Sequence, residues 1–187
     1  MTLSRRAFVL GAPCALAACS AEKIWAPDEV VKANRFLSPN TSALRLYTVR
    51  NTRSENGAHS ALMIDASERV LFDPAGSFKA QGVPERHDVL HGFSPSAEAA
   101  YRSFHARTEF YMLWQTVQVD PAVAEQALQL AKANGAVPQA GCTRSTSNIL
   151  SQLPGFGQIR KTWFPDNLFQ AFAQLPGVVT EELREQD

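Results

Sequence analysis

The chain has 187 residues, 45% of them apolar, with 18 basic and 18 acidic side chains in balance. That length suits one domain with a hydrophobic core. No basic stretch beyond the N-terminus is long enough to hold a phosphate backbone, which excludes nucleic acid as a partner, and nothing after residue 19 approaches the length of a membrane-spanning helix.

The first nineteen residues have the pattern of an export signal: Arg5 and Arg6, then an almost wholly apolar or small run from Ala7 to Ala18, then Leu16-Ala17-Ala18-Cys19 at its end. Those last four residues resemble the lipobox of bacterial lipoproteins, and Ser4 to Leu10 is similar to a twin-arginine signal. The resemblance implies that residues 1–18 are removed, that Cys19 carries lipid, and that the protein faces the periplasm from an envelope membrane, the outer one by expectation. The remaining 169 residues then have a net charge of about −2, since both lost charges are arginines. Cys14 leaves with the signal and Cys19 is blocked, so Cys142 remains as a lone thiol. Under an ordinary secretion signal, Cys19 and Cys142 are instead free to form a bridge.

Residues 19–40 hold two prolines and no sustained period, which predicts a tether on which Trp25 and Phe36 can dock. From Ala43 the pattern changes. Leu44 to Val49 predicts a first strand, Asn51 to Gly57 a turn, His59 to Ile64 a second strand, and Arg69 to Asp73 a third, stopped by Pro74. Short links between them favour an antiparallel meander. Residues 74–93 are predicted as loop. Ser94-Pro95 and Asp120-Pro121 each set a capping side chain before a proline at the first helical position. They predict helices from Ser94 to about His105 and over Ala122–Ala133, the second with Val123, Ala127, Leu130 and Ala131 on its apolar face. Between them Glu109 to Val119 predicts a strand. A short helix opening at Cys142 and another over Asp166–Leu175 complete a single domain over residues 41–179, with a frayed tail at 180–187. The expected class is α+β, an antiparallel sheet packed against helices, in a monomer.

A thiol in the first helical turn sits where free N–H groups and the helix dipole favour thiolate. Cys142 meets that condition. Its partner must be an imidazole brought from elsewhere, and His59, at the start of a rigid strand, is the candidate. Asp73 lies nearly as far beyond the predicted turn near residue 66 as His59 lies before it, so hairpin pairing brings it to the ring as the orienting group. The backbone N–H of Cys142 is the first candidate oxyanion donor, with Tyr47 or Ser60 as candidates for the second.

Gly57-Ala58-His59-Ser60-Ala61-Leu62-Met63-Ile64 followed by Gly141-Cys142-Thr143-Arg144-Ser145-Thr146-Ser147-Asn148-Ile149-Leu150 resembles the permuted branch of the NlpC/P60 papain-like superfamily, in which the histidine strand precedes the cysteine helix. The resemblance runs from about Leu44 to Leu153. It departs from the family in Gly141, where asparagine is frequent, and in the polar Thr143-Arg144 after the cysteine. It implies a papain-like fold and an envelope thiol hydrolase or acyltransferase, a peptidase or amidase among them, acting on an amide or ester, with peptidoglycan peptide or an acylated molecule as substrate and no cofactor. The alternative is a binding or assembly lipoprotein that keeps the fold without catalysis. His87 and His91 are four apart in a glycine-rich loop and fit surface positions better than a metal site, although with His59 and Cys142 they have acceptable zinc-ligand chemistry. His105 lies near a helix end, where a cation is mildly favoured, and a core or surface placement also accounts for it.

Overall fold

The computed structural model describes residues 24–38 and 42–185. The expected export signal, with Cys14 and Cys19, lies outside them. In chain order the elements are α1 (Asp28–Ala33), β1 (Ala43–Asn51), β2 (Gly57–Asp65), β3 (Arg69–Phe72), β4 (Glu85–Arg86), β5 (Val89–His91), α2 (Pro95–His105), β6 (Phe110–Gln118), α3 (Pro121–Ala133), α4 (Cys142–Leu150), α5 (Pro165–Ala173) and β7 (Val179–Leu183). The protein is α+β. Its described residues form one seven-stranded sheet in the order β4-β5-β3-β2-β1-β6-β7, antiparallel throughout.

Alternation along the central strands sends side chains to two cores. Leu44, Leu46, Leu62, Ile64 and Val117 face α3, α4 and α5, where they meet Leu128, Ile149, Leu150, Leu168 and Phe172. Tyr47, Ala61, Met63, Met112 and Trp114 face the other way, against Ala97 and Tyr101 of α2. Because both faces are covered, consecutive positions such as Leu46-Tyr47, Ala61 to Ile64 and Tyr111 to Trp114 are apolar and buried. The predicted caps form: Ser94 Oγ accepts from the Ala97 N–H at 3.3 Å, and Asp120 Oδ1 from the Ala122 N–H at 2.8 Å.

Three expectations are corrected. Residues 74–93 are not all loop, since β4 and β5 form a hairpin whose two-residue turn holds His87 and Asp88 at φ 43° and 66°. Such turns ordinarily use glycine or asparagine. Here Asp88 Oδ2 accepts from the Val137 N–H at 2.7 Å and the His87 N–H donates to Ile24 O at 3.0 Å, which fixes the turn from outside. Residues 24–38 include the helix α1, which the expected tether lacked, while Trp25 and Phe36 dock as expected: the Ala26 N–H donates to Glu85 O, Arg86 lies over Trp25 at 4.6 Å, and Arg69 lies over Phe36 at 5.5 Å. The tail also joins the sheet as β7, because β6 offers an unpaired edge and Trp114 Nε1 donates to Glu181 Oε2 at 2.7 Å. A smaller difference concerns α3, whose fully buried residues are Ala124, Ala127, Leu128 and Ala131, while the predicted Val123 and Leu130 pack against the same core half-buried.

Leu128 is fully buried between α3 and the sheet. Leu128→Ala is expected to lower the unfolding free energy by about 2–5 kcal/mol, seen as a lower denaturant midpoint at unchanged slope. A loss below about 1 kcal/mol would contradict this packing.

Candidate active site

β3 pairs with β2 only from Leu62↔Phe72 to Asp65↔Arg69. The first half of β2, Gly57 to Ala61, therefore has no β3 partner along that edge, and α4 packs against β2. Cys142 is the first residue of α4 and is 8% exposed. Its thiol interacts electrostatically with the His59 ring and with the Ser60 backbone N–H. Thr143 Oγ1 lies 3.7 Å from Sγ and 3.1 Å from Ser60 Oγ, tying the helix start to the strand.

The residue before the cysteine has a steric reason to be glycine. A Cβ on Gly141 would lie 2.6 Å from Val137 Cγ1 and 2.9 Å from Pro138 O, so any side chain there collides with the preceding turn. The consequence is a helix that begins with no side-chain cap. Its first N–H groups lack intrahelical acceptors and remain available to an anion.

His59 Nε2 hydrogen-bonds Asp73 Oδ1 at 2.7 Å, which leaves Nδ1 as the ring nitrogen free to face the sulfur. The same carboxylate oxygen accepts from Tyr101 Oη at 2.9 Å. The register centres the turn one residue later than predicted, so Asp73, just past the last pair Leu62↔Phe72, falls level with Ala61 rather than His59. It reaches the ring diagonally from a turn in which the Gly76 N–H donates back to Asp73 O at 2.9 Å. A Cβ on Gly76 would stand 1.9 Å from Asp73 Oδ2, so glycine makes room for the carboxylate. Asp73 is 4% exposed, where an aspartate before a turn proline would ordinarily be solvated.

Burial by itself would push the Cys142 thiol up, but the His59 hydrogen bond and charge, with the Ser60 N–H and Thr143, bring it down to about 7. Burial likewise opposes the His59 imidazolium, yet Asp73 and then Cys142 outweigh it and raise the ring to about 10. For Asp73, burial is overcome by the His59 hydrogen bond and charge, and the carboxyl stays below its ordinary value. The favoured state near neutrality is a thiolate beside an imidazolium, supported by a carboxylate.

Of the predicted residues, Cys142, His59 and Asp73 come together. Ser60 lies beside them but contributes its backbone N–H, since its buried hydroxyl is engaged with Thr143. Tyr47 is not available as an oxyanion donor: it is fully buried and its hydroxyl donates to Glu98 Oε1 at 2.7 Å. His91 faces Glu68 and His87 packs on Trp25, and among the described residues no group of three His, Cys, Asp or Glu side chains is arranged to hold a metal. His105 is not a helix-end cation. Burial lowers its pKa, its Nδ1–H donates to Tyr101 O at 3.0 Å, and its ring stacks on His59 with centroids 5.9 Å apart and planes within 3°.

Tyr101 and His105 are the residues missed in the sequence. Their spacing of four on α2 shows that they share a helix face, but only the fold shows that this face meets Asp73 and His59. One cavity reaches His59 and a second lies beside Gly141, the residue before Cys142. The first, of about 310 Å³, is walled by His59, Gly76, Phe104, His105 and Phe110; the second, of about 360 Å³, is walled by Gly141 and the following face of α4.

Comparison of the chain with protein-family models, with curated proteins and with solved structures finds no match. The site therefore stands on its own residues.

Gly76→Ala drives a methyl group into the Asp73 carboxylate. The expected result is a His59 titration midpoint lowered from about 10 by about one unit or more, followed by imidazole NMR signals across pH. An unchanged midpoint would show that Asp73 does not set the charge of the ring.

Proposed function

We propose that the protein is a thiol hydrolase or acyltransferase that acts on an amide or ester through Cys142 and His59. The observation that supports it most is the single imidazole that hydrogen-bonds a buried carboxylate and interacts electrostatically with a helix-start thiol. In the first step the Cys142 thiolate attacks the carbonyl carbon and the C=O electrons move onto oxygen, where the uncapped N–H groups of the α4 start are available to the charge. The carbonyl re-forms as the C–N or C–O bond breaks, and the His59 imidazolium gives its proton to the departing amine or alcohol. A Cys142 thioester remains. Neutral His59 then takes a proton from water, or from the hydroxyl or amine of an acceptor, as that oxygen or nitrogen attacks the thioester. Expulsion of the thiolate restores the starting pair. Asp73 holds the ring and stabilises its charge throughout, and Tyr101 holds Asp73.

The finer fold and setting belong to the same proposal. The order of histidine strand and cysteine helix supports a permuted NlpC/P60 papain-like arrangement, and the lipobox-like end of the signal supports an envelope lipoprotein facing the periplasm, where peptidoglycan peptide and acylated molecules are available substrates.

Alkylation of Cys142 by iodoacetamide tests the pair without knowledge of the substrate. Thiolate is present above the lowered cysteine value and imidazolium below the raised histidine value, so the paired form fills the window from about pH 7 to about pH 10. The wild-type rate is expected to rise with a midpoint near 7. In His59→Ala the midpoint moves upward, because burial then acts on the thiol with its main counterion gone. With a hydrolysable cell-wall peptide or ester, Cys142→Ala is expected to abolish turnover and His59→Ala to slow it by about 10²–10⁴-fold. A wild-type profile equal to that of a free cysteine peptide would overturn the proposal.

A further inference from the structure

Arg144 is the third residue of α4, at the end of a helix where the dipole disfavours a cation. The first turn contains no acidic side chain to compensate. Its guanidinium lies 5.0 Å over the Trp163 ring, which holds it in place without neutralising it. Across the same 360 Å³ cavity stands Lys161, and Ser145 and Asn148 add polar groups from the face of α4 that also carries Gly141. No carboxylate lines this cavity. Two cations, two hydrogen-bonding side chains and an exposed indole thus surround a space that begins one residue from the thiolate.

The two cavities play different parts in the proposed reaction. A leaving group must collect its proton from His59, so it lies on the side of the cavity that His59 walls. The acyl group stays on Cys142, whose chain neighbour Gly141 walls the cationic cavity. We propose that this second cavity binds a carboxylate carried by the acyl portion of the substrate, with Arg144 and Lys161 as its counterions and Trp163 holding the guanidinium. Arg144 and Lys161 are then specificity-determining residues, and the substrate class narrows to amides or esters of an acid that bears a second, anionic group. This rests on Cys142 being an activated nucleophile.

Iodoacetate and iodoacetamide separate the two ideas, because both alkylate a thiolate with loss of iodide and differ in one carboxylate. Rates are read on the Cys142 peptide by mass spectrometry, with glutathione as reference. The iodoacetate-to-iodoacetamide ratio at Cys142 is expected to exceed that of glutathione by about tenfold, since a cationic cleft concentrates an anionic reagent. It is expected to fall toward the glutathione value in Arg144→Gln/Lys161→Gln, and to fall in wild-type protein at about 0.5 M salt, where the charges are screened. Arg160→Gln removes a neighbouring cation that does not line the cavity and is expected to keep the preference; an equal fall there would trace it to general surface charge and overturn the assignment. Fast alkylation by iodoacetamide with a glutathione-like ratio would overturn the carboxylate site and leave the nucleophile standing. Slow reaction with both reagents would overturn the nucleophile and the site together. The salt series on the wild-type protein holds whether or not the double variant folds, which melting of its circular dichroism reports.

Discussion

An ionised carboxylate with 4% of its surface exposed is stable in a protein only if donors surround it. Around Asp73 that demand organises much of the site. His59 and Tyr101 both donate to Oδ1, Gly76 leaves space beside Oδ2, and the Asp73 N–H donates to Asp88 O at 2.8 Å. Asp88 in turn holds the β4–β5 turn to the segment before α4. One buried charge thereby links the histidine strand, α2, the edge hairpin and the approach to the cysteine helix.

The other half of the pair depends on backbone. Gly141 is forced by the closeness of the Pro138 carbonyl, and without its side chain α4 starts uncapped. An uncapped helix start is locally unfavourable by about 1 kcal/mol, but it leaves N–H groups beside Cys142 without intrahelical acceptors. The stopping of β3 at Phe72 has a similar effect on β2, leaving the Ser60 N–H to a sulfur instead of a strand partner. Both features look like omissions in secondary structure. The ring, the strand edge and the Thr143 hydroxyl thereby act on one sulfur.

What could be read from the sequence was what local pattern carries. Alternation and turn residues gave the three-strand meander, cap-plus-proline pairs gave α2 and α3, and the lone Cys142 at a helix start led to His59. Asp73 was reached by counting from a turn centre that was off by one residue, and the contact survived because neighbouring positions across a ladder are close enough diagonally. What escaped depended on long-range partners. β4 and β5 rest on a left-handed turn without glycine, held by Ile24 and Val137; β7 is an acidic segment recruited by the free edge of β6. Tyr101 and His105 carry ordinary helix residues in an ordinary helix, and their roles exist only because α2 crosses the sheet opposite His59. Tyr47 failed as a candidate for the same reason, since no local signal showed that Glu98 would take its hydroxyl.

The acidic character of β7 has its own consequence. An antiparallel sheet exposes a row of backbone donors and acceptors at each end, and another chain can extend it there. At one end the row is only two residues long and Trp25 and Ala26 already lie against it. At the other, Thr180, Glu181 and Glu182 are exposed along the outermost strand. A second copy docking by that strand would bring carboxylates against carboxylates, a repulsive match in a cross-strand pair. The segment that completes the sheet is thus also the one that discourages its growth into an aggregate.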